Sequence, residues 1–110
     1  MTKLTSKEIV DMNKEYTFFS WSNQGQVNPI PVTKAEGVYF WDADGKRYLD
    51  FAPQLVNENV GHQHPKVVKA IQDQAAVLAF VSPGMATEPR GLLGKKLSEI
   101  TSGDLKKTFF

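Results

Sequence analysis

The chain has 110 residues and no cysteine. Disulfide bonds, thiolate-bound zinc and a thiol nucleophile are therefore excluded for it. It also lacks an apolar run near the roughly 20 residues that a membrane-spanning helix requires. Its first residues lack the apolar stretch of a secretory signal, and no internal repeat is present. We therefore expect a cytoplasmic protein without a membrane partner.

The charge is almost balanced, with 13 basic and 12 acidic side chains and a net charge of +1. This balance gives no electrostatic reason to expect a nucleic-acid partner. Hydrophobic residues make up 41% of the chain, including seven phenylalanines and two tryptophans. Such a composition predicts a packed segment rather than disorder, and the length suits one domain at most.

The first 33 residues combine a helix signal with an aromatic segment. Thr5 and Glu8 have the spacing of a capping box, and apolar residues follow at helical spacing, which predicts a short first helix. Residues 17–33 follow, and they contain Phe18, Phe19 and Trp21 together with glycine and prolines. Their apolar residues show neither helical nor strand periodicity. Because large aromatic rings need burial, we expect this segment to lie extended across another surface.

The middle of the chain predicts a hairpin and a helix. Two β-prone runs flank the turn at residues 42–45, which ends in glycine. Residues 51–59 are compatible with either strand or coil. Pro65 is suited to the first position of a helix, and that helix would have a continuous apolar face on one side.

The last part of the chain predicts a second helix and the start of a strand. Thr87 is the expected N-cap, with Pro89 in the first turn. Residues 106–110 begin a predicted strand whose last three residues, Thr108, Phe109 and Phe110, are β-prone and apolar, and a strand of this kind needs neighbours on both sides. We therefore expect the chain to be cut from a longer polypeptide, with apolar helix faces left exposed.

Four stretches, taken in order, carry a family resemblance. They are residues 35–51, residues 60–74, residues 80–90 and residues 93–110. Together they resemble class III aminotransferases from about Phe18 onward. The resemblance implies an α/β fold of the aspartate-aminotransferase type (fold type I), incomplete in this chain, and a homodimer or higher homo-oligomer.

The resemblance also implies a division into three parts. Residues 1–33 would form the amino-terminal helix and aromatic arm, and residues 34–80 the hairpin and helix of the small domain. Residues 81–110 would form an interface loop, a helix and the first strand leading into the large domain.

The implied reaction is transfer of an amino group from an amine or amino acid to a 2-oxo acid or aldehyde. Pyridoxal 5'-phosphate would be the cofactor, held by a lysine, an acidic residue and backbone amides. In the family these parts follow the portion that this chain matches. We therefore assign no catalytic and no cofactor-binding residue here, and expect the chain alone neither to hold the cofactor tightly nor to transfer amino groups.

Several residues match the family's substrate site. Leu55 and Val56 match a channel-lining stretch in which many members have a leucine followed by tryptophan, so valine would widen the channel. Their alternative role is ordinary core packing. Phe19 and Trp21 match a segment that closes over the substrate entrance, and anchoring of the arm is the alternative. Pro53 departs from the serine or glycine usual in this pattern and would alter the path of the loop.

One loop matches the family's dimer interface, with a plain connection between helices as the alternative. Its residues are Ser82, Pro83, Gly84 and Thr87. His62 and His64 alternate before Pro65, but zinc usually takes three or four ligands and no carboxylate cluster accompanies them in the sequence. A structural turn without metal is the prediction there. Lys95 and Lys96 are predicted on an exposed helix face, which does not suit a catalytic lysine.

Two alternatives remain open at this point. The chain would act as a non-catalytic module if it associates with itself or with a full-length relative through its dimer surface. Within the family, the reaction would instead be that of an aminomutase, a racemase or a decarboxylase.

Overall fold

The computed structural model describes residues 4–110, which divide into two compact units. One unit extends to Ile71 and the other runs from Gln72 to Phe110. Within residues 4–110 no helix is both long and apolar enough to cross a bilayer.

The first helix, α1, spans Ser6–Tyr16 and begins at the predicted capping box. The Thr5 hydroxyl accepts the Glu8 backbone N–H at 3.3 Å, and a Glu8 carboxylate oxygen accepts the Thr5 backbone N–H at 2.8 Å. This exchange satisfies two backbone donors that a helix start otherwise leaves free. The prediction of the helix and of its cap is confirmed.

A three-stranded antiparallel sheet follows, in the order β1 (Val32–Glu36), β2 (Tyr39–Asp42) and β3 (Arg47–Leu49). The hairpin of β2 and β3 is confirmed. The sequence did not predict β1, which is short and mostly polar. Strand β1 reverses into β2 through Gly37, whose φ of 59° lies in the left-handed region that glycine adopts without cost.

The sheet is stabilised by ring contacts on both faces. Phe40 stacks on Tyr48, its partner on the neighbouring strand, with ring centroids 5.1 Å apart. Elsewhere Lys34 lies 4.5 Å from the centroid of Trp41, and Arg47 lies 4.5 Å from that of Tyr39. Cross-strand pairs of this kind hold a small sheet together where little apolar area is buried.

Asp42 organises the hairpin turn. Its Oδ1 accepts backbone N–H groups of Asp44 at 3.0 Å and of Lys46 at 2.9 Å, and its Oδ2 accepts the Tyr48 hydroxyl at 2.8 Å. Burial by itself would raise the pKa of Asp42, but these hydrogen bonds outweigh it and hold the pKa below its ordinary value. Asp42 is therefore ionised as part of the fold.

Three helical segments complete the chain, namely α2 (Pro53–Val56), α3 (Pro65–Val77) and α4 (Glu88–Ile100). Pro65 begins α3 as predicted. Thr87 has the extended backbone of an N-cap before α4, although its side chain makes no capping bond. The stretch around α2 forms a tight turn rather than a strand.

The strand predicted over residues 106–110 is not formed. This stretch is irregular, and the Phe109 side chain is fully exposed. A strand needs hydrogen-bond partners on a neighbouring strand, and the described part of this unit is helical apart from loops. The division into residues 1–33, 34–80 and 81–110 stays a prediction.

Very little of the described chain is buried. Among residues 4–110 no apolar side chain is buried, and Asp42, at 7% exposure, is the one residue that is. The apolar positions of α3 and α4 remain largely open, for example Ile71 and Ile100. The predicted exposure of apolar helix faces is confirmed, and surfaces of this kind are typical of interaction sites.

Candidate functional site

A largely buried polar contact of the first unit joins Asp50 and His62. Asp50 follows β3, and its backbone N–H donates to the Val38 carbonyl at 2.9 Å. His62 exchanges two backbone hydrogen bonds with Gly37, at 2.8 and 3.0 Å. Because Gly37 and Val38 are adjacent, these bonds bring the two side chains together. His62 Nε2 lies 2.6 Å from Asp50 Oδ2, with side-chain exposures of only 11% and 4%.

The chemistry of this pair follows from its surroundings. A carboxylate has acceptor sites alone, so the His62 Nε2–H donates to Asp50. The hydrogen bond from His62 lowers the pKa of Asp50, burial opposes it, and hydrogen bonds from Gln54 and the Ala52 backbone add to the lowering. The second ring nitrogen, Nδ1, lies 3.7 Å from a carboxylate oxygen of Glu58. That distance is beyond hydrogen-bond range, so the Nε2 contact with Asp50 is the one that orients the His62 ring.

The turn at α2 has an unusual backbone. Gln54, Leu55 and Val56 have φ values of 45°, 58° and 62°. Residues other than glycine rarely adopt this left-handed region, a β-branched residue least of all. Each such residue costs on the order of 1–3 kcal/mol, which the surrounding structure must offset. Consecutive strained residues of this kind occur mainly at functional sites.

Side chains from the following segment hold the turn's carbonyl groups. Asn57 Nδ2 donates to the Gln54 carbonyl at 3.0 Å, and Asn59 Nδ2 donates to the Val56 carbonyl at 2.7 Å. Leu55 and Val56 themselves remain 67% and 69% exposed. They are not core residues of this unit, and the turn presents them outward. Their predicted place in a substrate channel stays a prediction.

The three aromatic residues of the arm differ in burial. Phe19 is half-buried and lines a cavity of about 250 Å³ between α1 and residues 29–32. Its backbone N–H donates to the Gln24 side chain at 3.1 Å. Phe18 and Trp21 are 95% and 89% exposed, and Trp21 has a φ of 54°. Phe19 therefore packs beside α1, whereas Trp21 is exposed to contact another surface; their predicted place at the substrate entrance stays a prediction.

The predicted interface loop lies in the second unit. The Met85 backbone N–H donates to the Ser82 carbonyl at 2.9 Å, and Arg90 Nη1 donates to the Pro83 carbonyl at 2.9 Å. Pro83, Gly84 and Thr87 line an open cleft of about 570 Å³. These contacts order the loop within its own unit. Its role at a dimer interface stays a prediction.

The His62 and His64 segment is a turn. The His64 carbonyl accepts the backbone N–H groups of Val67 and Val68, both at 3.0 Å, and so begins α3. No cluster of three metal-ligating side chains in a suitable arrangement occurs within residues 4–110. The Asp50–His62 contact was missed from the sequence, because 12 residues separate the two side chains. The acidic residue at the end of the hairpin was the available signal.

A comparison with protein-family profiles identifies the family of this chain. The profile described as Aminotransferase class-III matches residues 21–110. The chain belongs to the class III aminotransferases. The match includes the sheet, the α2 turn and both later helices.

Individual relatives agree with this. An acetylornithine aminotransferase of Methanocaldococcus jannaschii is 36% identical over 107 residues, which is 97% of this chain but 25% of that protein. The chain thus spans about a quarter of the length of such relatives.

Solved structures show the fold. The taurine:2-oxoglutarate aminotransferase of Bifidobacterium kashiwanohense, solved in complex with PLP and glutamate, is 42% identical at a TM-score of 0.83. The match covers 93% of this chain and 23% of that one. An (S)-enantioselective omega-transaminase of Thermomicrobium roseum gives a TM-score of 0.86 at 31% identity, over 97% of this chain and 25% of its own. The chain is an α/β part of the fold type I architecture of these transaminases.

Two exposed lysines and the amino end of α4 do not offer a pyridoxal-phosphate site. Lys95 and Lys96 are 75% and 69% exposed and lie beside Glu99 at 3.8 and 4.0 Å. A lysine that reacts with an aldehyde needs a desolvated or charge-tuned position. The amino end of α4 carries Glu88 in its first turn, which disfavours a phosphate there. No step of the reaction is therefore assigned to these side chains.

Proposed function

We propose that this chain is the amino-terminal portion of a pyridoxal-phosphate-dependent aminotransferase. The enzyme transfers an amino group from an amine or amino acid to a 2-oxo acid or aldehyde. The observation that carries this proposal is the agreement with the taurine:2-oxoglutarate aminotransferase, at 42% identity over 93% of the chain. A sequence identity of 42% together with a TM-score of 0.83 supports a shared class of chemistry, which similarity of fold alone would not.

In this proposal the cofactor is held by the part of the enzyme outside these 110 residues. The exposed positions of Lys95 and Lys96 support this assignment. The 110-residue chain alone is accordingly inactive and does not hold the cofactor. When bound in the whole enzyme, the cofactor supplies an electron sink for the bond changes at the amino-bearing carbon.

The contribution of this chain is to shape the substrate site. Leu55 and Val56 form part of the channel wall, and Phe19 and Trp21 lie toward its entrance. The outward presentation of Leu55 and Val56 from a strained turn supports this role. The valine at position 56 leaves more room than a larger side chain would.

The enzyme is proposed to be a cytoplasmic homodimer or higher homo-oligomer. The ordered loop containing Ser82, Pro83, Gly84 and Thr87 forms part of the subunit interface. The open apolar positions of α3 and α4 support an assembly that covers them.

The test compares the full-length protein that carries this chain with the 110-residue chain alone. Each is purified, loaded with pyridoxal phosphate and assayed with a panel of amines and amino acids against 2-oxoglutarate. We expect cofactor retention and amino transfer in the full-length protein, and neither in the short chain. Mass spectrometry of the products identifies amino transfer and decarboxylation, which change the mass, and chiral chromatography identifies racemisation and isomerisation, which do not.

Two results would overturn the proposal. A full-length protein that retains no cofactor and forms no aminated product is not an aminotransferase. A native gene product of 110 residues that is folded and monodisperse would establish the non-catalytic module instead.

A further inference from the structure

One carboxylate oxygen of Asp50 connects two parts of the first unit. Asp50 Oδ2 accepts a hydrogen bond from His62 Nε2 at 2.6 Å and another from Gln54 Nε2 at 3.1 Å. Gln54 is the first of the three left-handed residues of the α2 turn. His62 is fixed through its backbone to Gly37. Asp50 therefore connects the strained turn to the end of the sheet.

Apolar packing does not hold this turn in the described chain. Leu55 and Val56 point outward, and a cavity of about 100 Å³ lies behind the turn. Its lining includes Asp50, Pro53 and His62. A cavity of this size and polarity accommodates water rather than a packed side chain. The turn therefore depends on hydrogen bonds for its position.

Backbone bonds close the turn on itself but do not connect it to the sheet. The Glu58 N–H donates to the Pro53 carbonyl at 3.2 Å, and the Asn57 N–H donates to the Gln54 carbonyl at 3.4 Å. Both bonds are long for backbone hydrogen bonds. The Gln54 side chain links the turn to Asp50 at 3.1 Å, and Asp50 is in turn held by the 2.6 Å contact with His62.

We propose that Asp50 and His62 form a clamp that positions the α2 turn. The clamp fixes the positions of Leu55 and Val56. It thereby sets the width of the substrate channel, a consequence that rests on the proposed function. Asp50 and His62 are positioning residues and do not touch the reacting atoms. Loss of the clamp lets the strained turn relax toward ordinary backbone angles.

The first test is independent of catalysis and uses amide hydrogen exchange in the full-length protein. Asp50→Asn leaves an amide group facing the His62 Nε2–H and weakens the clamp. We expect exchange at Asn57 and Glu58 to accelerate by about tenfold or more, because their bonds depend on a held turn. Asp42→Asn is the matched control, since the side chains of both aspartates are shielded from solvent and Asp42 bonds to the hairpin turn instead. Unchanged exchange at Asn57 and Glu58 in Asp50→Asn, or equal acceleration in Asp42→Asn, would overturn the clamp.

The second test measures substrate selection. In the active enzyme we expect Asp50→Asn to change the ratio of KM values for a bulky and a small oxo acid by about tenfold, since small misplacements are costly. Cofactor absorbance and kcat for the small acceptor should remain. His62→Gln keeps an N–H donor toward Asp50, so it should preserve the ratio, whereas His62→Leu should shift it. An unchanged ratio of KM values in both Asp50→Asn and His62→Leu would contradict the proposal that the clamp sets the width of the channel.

A milder variant and the wild type separate failure of the clamp from failure of folding and from failure of the proposed function. If Asp50→Asn fails to fold, Gln54→Ala removes only the exposed link from turn to clamp. It should accelerate exchange at the same two amides, and no acceleration overturns the clamp. A wild type without cofactor or amino transfer refutes the proposed function, while the exchange result still decides the clamp.

Discussion

Gly61 and Gly37 approach so closely that a β-carbon on Gly61 would lie 3.2 Å from the Gly37 carbonyl oxygen. This contact lies next to the backbone pairing of His62 with Gly37, which holds His62 in the Asp50–His62 clamp. A β-carbon at this distance is a tight contact, which the Gly37 backbone would relieve only by shifting by a few tenths of an ångström. The position also requires positive φ, since Gly61 has a φ of 86°.

The substitution Gly61→Ala therefore introduces two separate costs. Gly45→Ala is the matched control, because Gly45 has a φ of 84° and open space around it. The strained backbone should cost about 1 kcal/mol in both, and the tight contact with the Gly37 carbonyl oxygen should add a further cost in Gly61→Ala alone. Thermal denaturation of the full-length protein should show a clearly lower midpoint for Gly61→Ala. Equal midpoints for the two variants would mean that the contact with Gly37 is not tight.

Two neighbouring phenylalanines should respond differently to truncation. Phe19→Ala removes a half-buried ring from the cavity beside α1 and should destabilise the arm by about 1–3 kcal/mol. Phe18→Ala removes an exposed ring and should change stability by less than about 0.5 kcal/mol in the described unit.

The readout for this pair is protease sensitivity of the arm together with substrate preference. Faster cleavage in Phe19→Ala at unchanged preference indicates an anchor alone. A changed preference at unchanged cleavage would instead place Phe19 at the substrate entrance.

Acid should weaken the sheet through two carboxylates. Hydrogen bonds hold the pKa values of Asp42 and Asp50 below the ordinary value of 3.8. A lowered carboxyl pKa contributes stability that is complete above the unfolded value and is lost as pH falls through the folded value. The denaturation midpoint should therefore drop below a pH of about 4.

Asparagine variants test this assignment. Asp42→Asn and Asp50→Asn remove one titrating group each, so each should lower stability at neutral pH and flatten the acid part of the profile. The midpoint is measured across the acid range for the wild type and both variants. Three parallel profiles would show that other groups control the acid response.

The local elements were predictable because their signals act within a few residues. The Thr5 and Glu8 capping pair, the turn after Asp42 and Pro65 at a helix start each satisfy backbone groups nearby. Such signals need no knowledge of the rest of the chain. The boundaries of α1, α3 and α4 agree for this reason, whereas α2 was not predicted.

Features that depend on distant partners were missed or wrong. Strand β1 exists because β2 lies beside it, and its own five residues are mostly polar. Residues 106–110 have strand propensity but no strand partner in their unit. The left-handed turn opposes the preference of Val56, so no propensity argument finds it. The Asp50–His62 contact requires the chain reversal at Gly37.

The open apolar positions should make the 110-residue chain self-associate when isolated. Ile71 and Ile100 are mostly exposed on α3 and α4. The double variant Ile71→Asp and Ile100→Asp should shift sedimentation toward the monomer, because it removes apolar area and adds like charge. Gln72→Asp adds charge on α3 without removing apolar area and should have little effect. Equal shifts in both would assign the effect to charge alone.

The most direct test of the account is the visible absorbance of the full-length protein that carries this chain. A bound pyridoxal-phosphate cofactor should give an absorbance band that changes when an amine donor is added and returns with a 2-oxo acid. A folded full-length protein that shows no such band after incubation with the cofactor would contradict the assignment as an aminotransferase.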